Sequence, residues 1–248
     1  MKVTKYKHII PLGYFCSVAM ELERKGLRTA SYPFDWMISD SFENILKLLD
    51  NNFEEFLDEE SLYQEEIPNH YYNYRTGIHF YHDFDAYTPL RNQIYSVRKK
   101  YDRRIKRLYD DVKEPSLFIR YCLNEKEVEW IENNLTSIVS QVKQYNRDNN
   151  IVFIVPQGIK YEITSALIGG GGIFVRIASD SKDVVRHYFK TNPEFLRYLY
   201  KHTSLNIFQI LNNLRIHYLS RIRKRYAKKV VTEQQPYRHL KQYNDIKQ

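Results

Sequence analysis

Cys16 is the residue whose type and position speak most directly of chemistry. It lies three residues after Gly13 in the stretch HIIPLGYFCSVAMELERKGLRTASYPFDW, residues 8–36. A short apolar run, His8–Leu12, breaks at Gly13, and an amphipathic pattern follows from Ser17 to Lys25. A strand, a glycine turn and a helix with a cysteine at its start make a setting for a reactive thiolate. Amides at a helix N-terminus favour negative charge and pull a thiol below its ordinary pKa of about 8.5. The competing reading is a small buried hydrophobe under the first helix, a common place for a free cysteine. The second thiol, Cys122, stands in a different context, and two thiols among scattered histidines form neither a disulfide framework nor a zinc pattern.

A thiolate nucleophile needs an imidazole to manage its proton and a carboxylate or amide to orient that imidazole. GIHFYHDF offers His79 and His82, with Asp83 directly after His82. His82 is favoured as the base, because the end of a strand can face a cleft. If the strand continues, Asp83 points to the opposite side, and Asp35 becomes the better orienting group. Asp35 lies in Tyr32-Pro33-Phe34-Asp35-Trp36, where proline holds the chain extended and a charge between two aromatics must find a partner. Arg120, Arg103, Arg104 and Trp36 are candidate substrate contacts, Arg120 the sharpest because it ends an apolar strand. Asp183 and His187, four residues apart, are an alternative base pair or a helix-surface pair. Gly169–Gly172 has neither a following Gly-Lys-Ser/Thr nor a GxGxxG frame, so it is read as a turn.

The elements that must position these groups follow from periodicity. Asp40–Phe56 is expected to be helical, capped by Asp40 or Ser41, and residues 58–77 a tyrosine-rich loop. Ile78–Phe84 reads as a strand or strand end, and Asn92–Val112 as a long charged helix. Ser116–Arg120, Ile151–Val155 and Ile173–Ala178 are unalternating apolar runs, the first two separated by a helix over Glu125–Tyr145. Such runs imply parallel strands covered on both faces. The expected fold is therefore α/β, a mostly parallel central sheet flanked by helices, with a C-terminal helical extension. Cys16, Arg120, Gln157 and Asp180 would lie past strand carboxyl ends and converge near a topological switch point. The expected boundaries are 1–190 for the α/β domain, 191–231 for a basic helical extension and 232–248 for a flexible tail.

The net charge of +8 is local: from Arg215 onward ten Lys/Arg face two acids, an excess equal to the whole net charge. The basic helix Leu214–Lys229 has three readings: a cap on the domain, a contact with anionic lipid headgroups, or a contact with nucleic acid. Its apolar stripe with flanking cations suits peripheral membrane contact, and no nucleic-acid motif accompanies it. No apolar run has the length of a signal peptide or a membrane span, so a reducing cytoplasm is the expected compartment, with peripheral contact at the inner face of the membrane. No cofactor or metal is expected.

The segments LGYFCSVAMEL and GLRTASYPFDW, followed by HDF, KYDRRIKRL and LFIR, resemble an uncharacterised bacterial family. It is described as papain-like cysteine peptidases, a domain of unknown function often found among surface-polysaccharide genes. The likeness covers roughly residues 8–180. It implies Cys16 as nucleophile and His82 as base, with Asp35, Asp83 and Arg120 as site members, and it brings a papain-like α+β fold as the alternative architecture. The expected activity is thiol-dependent hydrolysis or acyl transfer on a small-molecule, glycan or peptide substrate. The rival readings are a non-catalytic sugar-binding accessory of polysaccharide assembly and a transferase using a phosphate-containing donor.

Overall fold

A computed structural model describes residues 4–160, 162, 172–177 and 188–225. Asp180, Asp183, His187, most of the Gly169–Gly172 run and the 232–248 tail lie outside the described residues. The fold is α/β. Four parallel strands, β1 (His8–Pro11), β6 (Ser116–Tyr121), β7 (Asn150–Pro156) and β8 (Gly172–Ile177), form a sheet in the order β1-β6-β7-β8. That order runs in one direction, so the described strands contain no reversal, contrary to the expected switch point.

Alternation along each strand divides the core into two layers. Ile9, Leu117, Ile119, Val152 and Ile154 pack against Val18 and Leu22 of α1 (Ser17–Arg24) and Phe195 and Leu199 of α7 (Pro193–His202). Ile10, Phe118, Ile151 and Phe153 face the other helices. These are α2 (Phe42–Asp50), α3 (Leu90–Asp111), α4 (Glu125–Asn133) and α5 (Leu135–Lys143). Both faces are buried, which is why the strand sequences do not alternate in polarity. A one-turn helix, α6 (Tyr188–Thr191), adds Phe189 to the first layer. The stretch expected as a C-terminal extension thus begins inside this layer, and Tyr6 also bridges to Thr203.

The 58–77 segment is not a plain loop. It supplies β3 (Leu62–Gln64) and β4 (Tyr71–Asn73), which join β5 (Ile78–Phe80) and β2 (Met37–Ser39) in an antiparallel sheet of order β2-β5-β4-β3. Three-residue strands give too short a period-2 signal to read from sequence. Met37, Ser39, Ile78, Phe80, Tyr71, Asn73 and Leu62 point inward, and the outer face carries Ile38, His79, Tyr72 and Tyr63 in cross-strand register. The expected helix over Asp40–Phe56 is capped by Ser41, whose Oγ accepts from the Asn44 N–H at 3.2 Å, but it ends at Asp50. Asn52, Phe53 and Glu55 adopt left-handed backbone there, turning Phe53 and Phe56 inward outside the helix. The Glu125–Tyr145 helix is two helices meeting at Asn134.

Candidate active site

The turn that delivers Cys16 is built from β1. The Leu12 N–H donates to the Ile119 carbonyl at 2.8 Å, extending the parallel pairing by one residue. Gly13 then turns with φ +74°, where a Cβ would stand 3.2 Å from Arg120 Nη1. Tyr14 accepts a bond from the Ser39 N–H at 3.1 Å, which ties this turn to the antiparallel sheet. Cys16 is the N-cap of α1, and its carbonyl accepts the Met20 N–H at 3.0 Å. The Cys16 side chain is partly exposed, whereas Cys122 is fully buried and burial pushes its thiol pKa well up. The two thiols therefore differ sharply in access.

Beside the turn, at the carboxyl ends of β1, β6 and β7, opens a cavity of about 850 Å³. Tyr14, Phe15 and Tyr121 form an aromatic wall, with Phe15 set edge-on to Tyr121 at 5.5 Å. Burial raises the Tyr121 phenol to about 12. Ile38 lines another side, and Asn124, Glu125 and Lys126 add a polar rim from the start of α4. This is the strand-end location expected for a site in a parallel sheet. Tyr14 and Phe15 of this wall immediately precede Cys16.

Arg120 is not on a surface. Its side chain is fully buried, donating from Nε to Glu127 Oε1 at 2.9 Å and from Nη1 to both the Leu12 carbonyl and Ser39 Oγ at 2.9 Å. Its Cζ lies 5.2 Å from the Phe42 ring centre. The expected substrate contact is an internal strut joining β6, the end of β1, β2 and α4. Its parity on β6 explains this, since alternate residues of a two-faced buried strand all point into protein.

His82 is exposed, with its ring edge-on to Trp36 at 6.4 Å. The two expected orienting carboxylates bond elsewhere. Asp83 is paired with Lys100 and accepts from the Tyr101 hydroxyl at 2.9 Å. Asp35 is fully buried; it pairs with Arg28 and accepts the Tyr32 N–H at 3.0 Å, capping the short 3₁₀ turn Pro33–Trp36. Burial raises the Asp35 pKa, and the opposing pull of Arg28, the Tyr32 N–H and Arg104 is smaller. Arg28 also lies 5.5 Å from the Trp36 ring centre. Arg104 lies 5.1 Å from the Tyr101 ring centre, and the exposed Arg103 donates to the Lys99 carbonyl. The structure thus brings Trp36 to His82, and Asp35 to Arg28 and Arg104, while Arg120 is bonded to the turn that leads to Cys16.

Sequence reasoning passed over a polar group on the antiparallel sheet. His79 Nε2 lies 3.0 Å from Asp40 Oδ1 and Nδ1 lies 2.9 Å from Glu65 Oε1. The Tyr72 hydroxyl donates to Asp40 Oδ2 at 2.7 Å, and Asp40 pushes that phenol up to about 12. The signal for His79 was present in the alternation of IHF; its partners come from distant turns that no local pattern connects. Among the described residues no group of three or more His, Cys, Asp or Glu is arranged to hold a metal. No described helix is long and apolar enough to cross a membrane.

Comparison with known proteins reaches the same stretch. The family described as "Putative papain-like cysteine peptidase", a domain of unknown function, matches residues 7–158. An uncharacterized protein of Acanthamoeba polyphaga mimivirus is 28% identical over 169 residues, covering 58% of this chain and 76% of its own length. No solved structure matches. The matched span runs from just before β1 to just past the end of β7.

Proposed function

We propose, from the premise that this chain belongs to that papain-like cysteine peptidase family, that it is a thiol-dependent hydrolase or acyl transferase with Cys16 as its nucleophile. The observation that carries the reading is the position of Cys16: a partly exposed thiol at the N-cap of α1, directly after two residues of the cavity wall. The thiolate attacks a carbonyl carbon, and backbone N–H groups of residues 16–18 stabilise the oxyanion. An imidazolium gives its proton to the leaving amine or alkoxide as the thioester forms. The same imidazole then takes a proton from water, or from an acceptor hydroxyl, as that oxygen attacks the thioester and the thiol is restored.

His82 is the base in this proposal. Its ring is exposed and meets an aromatic neighbour, whereas both nitrogens of His79 approach carboxylates. With each ring nitrogen already facing a carboxylate, His79 has neither side open to a thiol. The aromatic wall and polar rim suit a glycan or peptide substrate, consistent with work on surface polysaccharide in a reducing cytoplasm. The same wall supports a second reading, a sugar-binding accessory without catalysis, in which Cys16 only lines the approach. Internal bonding of Arg120 counts against a phosphate-gripping transferase built on that residue.

The deciding experiment is the rate of iodoacetamide alkylation against pH for wild type, Cys16→Ser and His82→Ala. Because Cys122 is fully buried, labelling of the native protein reads Cys16. The expected result is fast alkylation with a midpoint clearly below about 8.5, abolished in Cys16→Ser and moved upward in His82→Ala. Slow alkylation with an ordinary midpoint, unaltered by His82→Ala, refutes the nucleophile and leaves the accessory reading.

A further inference from the structure

The last described helix, α8 (residues 207–225), carries two apolar faces, of which the domain uses one. Ile210 is 9% exposed. Gly26 approaches so closely that a Cβ would stand 2.6 Å from the Ile210 carbonyl and 3.0 Å from Leu214. Asn213 Nδ2 donates to the Gly26 carbonyl at 3.0 Å, and His217 Nδ1 lies 3.3 Å from Glu23 Oε1. These residues, spaced by three and four, seat α8 on the end of α1.

A second stripe points away from the domain. Phe208 is 79% exposed, Tyr218 65%, Ile207 61% and Leu211 54%. At 3.6 residues per turn these side chains and Leu219 share one sector, well round the helix from Ile210 and His217. Large apolar groups gathered on one sector mark an interaction surface, unlike single exposed hydrophobes. Arg215 lies within this sector, Arg225 at its edge and Arg223 about 40° past its other edge, while Arg221 falls on the Ile210–Leu214 side. With Lys224 these make five cations, and residues 207–225 contain no acid.

We propose that this outer face of α8 docks on an anionic lipid surface. Charge complementarity selects the occupant. Apolar side chains enter the headgroup boundary while the arginines remain at phosphate level, the arrangement of an interfacial helix. A second copy of the same face would bring its own cations against these and be repelled. A nucleic acid would engage the arginines but leave Phe208, Leu211 and Ile207 in water. The basic sequence continues with Lys228 and Lys229.

The test is co-sedimentation of the full chain with vesicles of phosphatidylcholine, with and without phosphatidylglycerol, at low and high salt. Binding is expected to the anionic vesicles, to weaken with salt, and to be far stronger than to phosphatidylcholine alone. Arg215→Gln with Arg223→Gln should weaken it about 25-fold, about fivefold for each charge removed. Phe208→Ser with Leu211→Ser, both on exposed positions, should also weaken binding without moving the thermal midpoint. Equal binding to both vesicle types overturns the proposal, as does no binding to either. So does a concentration-dependent dimer that Phe208→Ser abolishes, or retention on duplex RNA that Arg215→Gln with Arg223→Gln abolishes, while vesicles are ignored.

Discussion

Replacing Glu127 by leucine should remove much of the stability of this protein, because it strips the one carboxylate that, among the described residues, bonds a fully buried guanidinium. Arg120 has no exposed surface and the Glu127 side chain is 6% exposed, so water cannot substitute for the lost partner. The carboxylate also accepts the Leu123 N–H, which would be left unsatisfied. Removing one member of a buried ion pair costs about 3–5 kcal/mol, against a total stability of about 5–15 kcal/mol for a typical domain. The double variant Arg120→Met, Glu127→Leu should recover part of that loss, since no buried charge remains. Recovery should be incomplete, because the Leu12 carbonyl and Ser39 hydroxyl lose their donor. Urea unfolding of wild type, both single variants and the double variant completes a thermodynamic cycle. A cost below about 1 kcal/mol for Glu127→Leu, or a double-variant loss equal to the sum of the singles, would refute the strut argument.

Two further perturbations test neighbouring parts of the fold. With its folded pKa raised by burial, Asp35 keeps its proton in the folded state after the unfolded chain has released it. Its contribution to stability is therefore full below the ordinary value of 3.8 and is lost as pH rises through the folded value. Between pH 4 and pH 7 the urea midpoint of Asp35→Asn should consequently gain on that of wild type; a gap that moves the other way contradicts the assignment. Gly26→Ala places a methyl group against the Ile210 carbonyl at a residue with φ +68°. It should loosen α8, read as faster amide exchange in residues 207–225 with little change in β6 and β7.

The runs SLFIR, IVFIV and IFVRIA announced strands buried on both faces, and all three are parallel neighbours in one sheet. Burial on two sides erases the period-2 pattern, and that erasure is itself a local signal. The glycine after His8–Leu12 and the amphipathic Ser17–Lys25 fixed the strand, turn and helix that present Cys16, because left-handed backbone and helical periodicity are properties of short segments. The concentration of charge beyond Arg215 was likewise a matter of counting.

Only the tertiary structure decided what the charged residues do. Arg120, the expected substrate contact, is an internal strut, since the rotation of a strand about its axis depends on what both faces meet. Asp35 and Asp83 were expected to orient a histidine, and their ion pairs are instead with Arg28 and Lys100. His79 gained two carboxylates from turns 39 and 14 residues away, a convergence that no local pattern encodes. The sequence by itself determined where chain segments become strands and helices and where a thiol is presented. Which polar groups meet is a property of long-range packing, where each partner is chosen by the cost of leaving a buried charge alone.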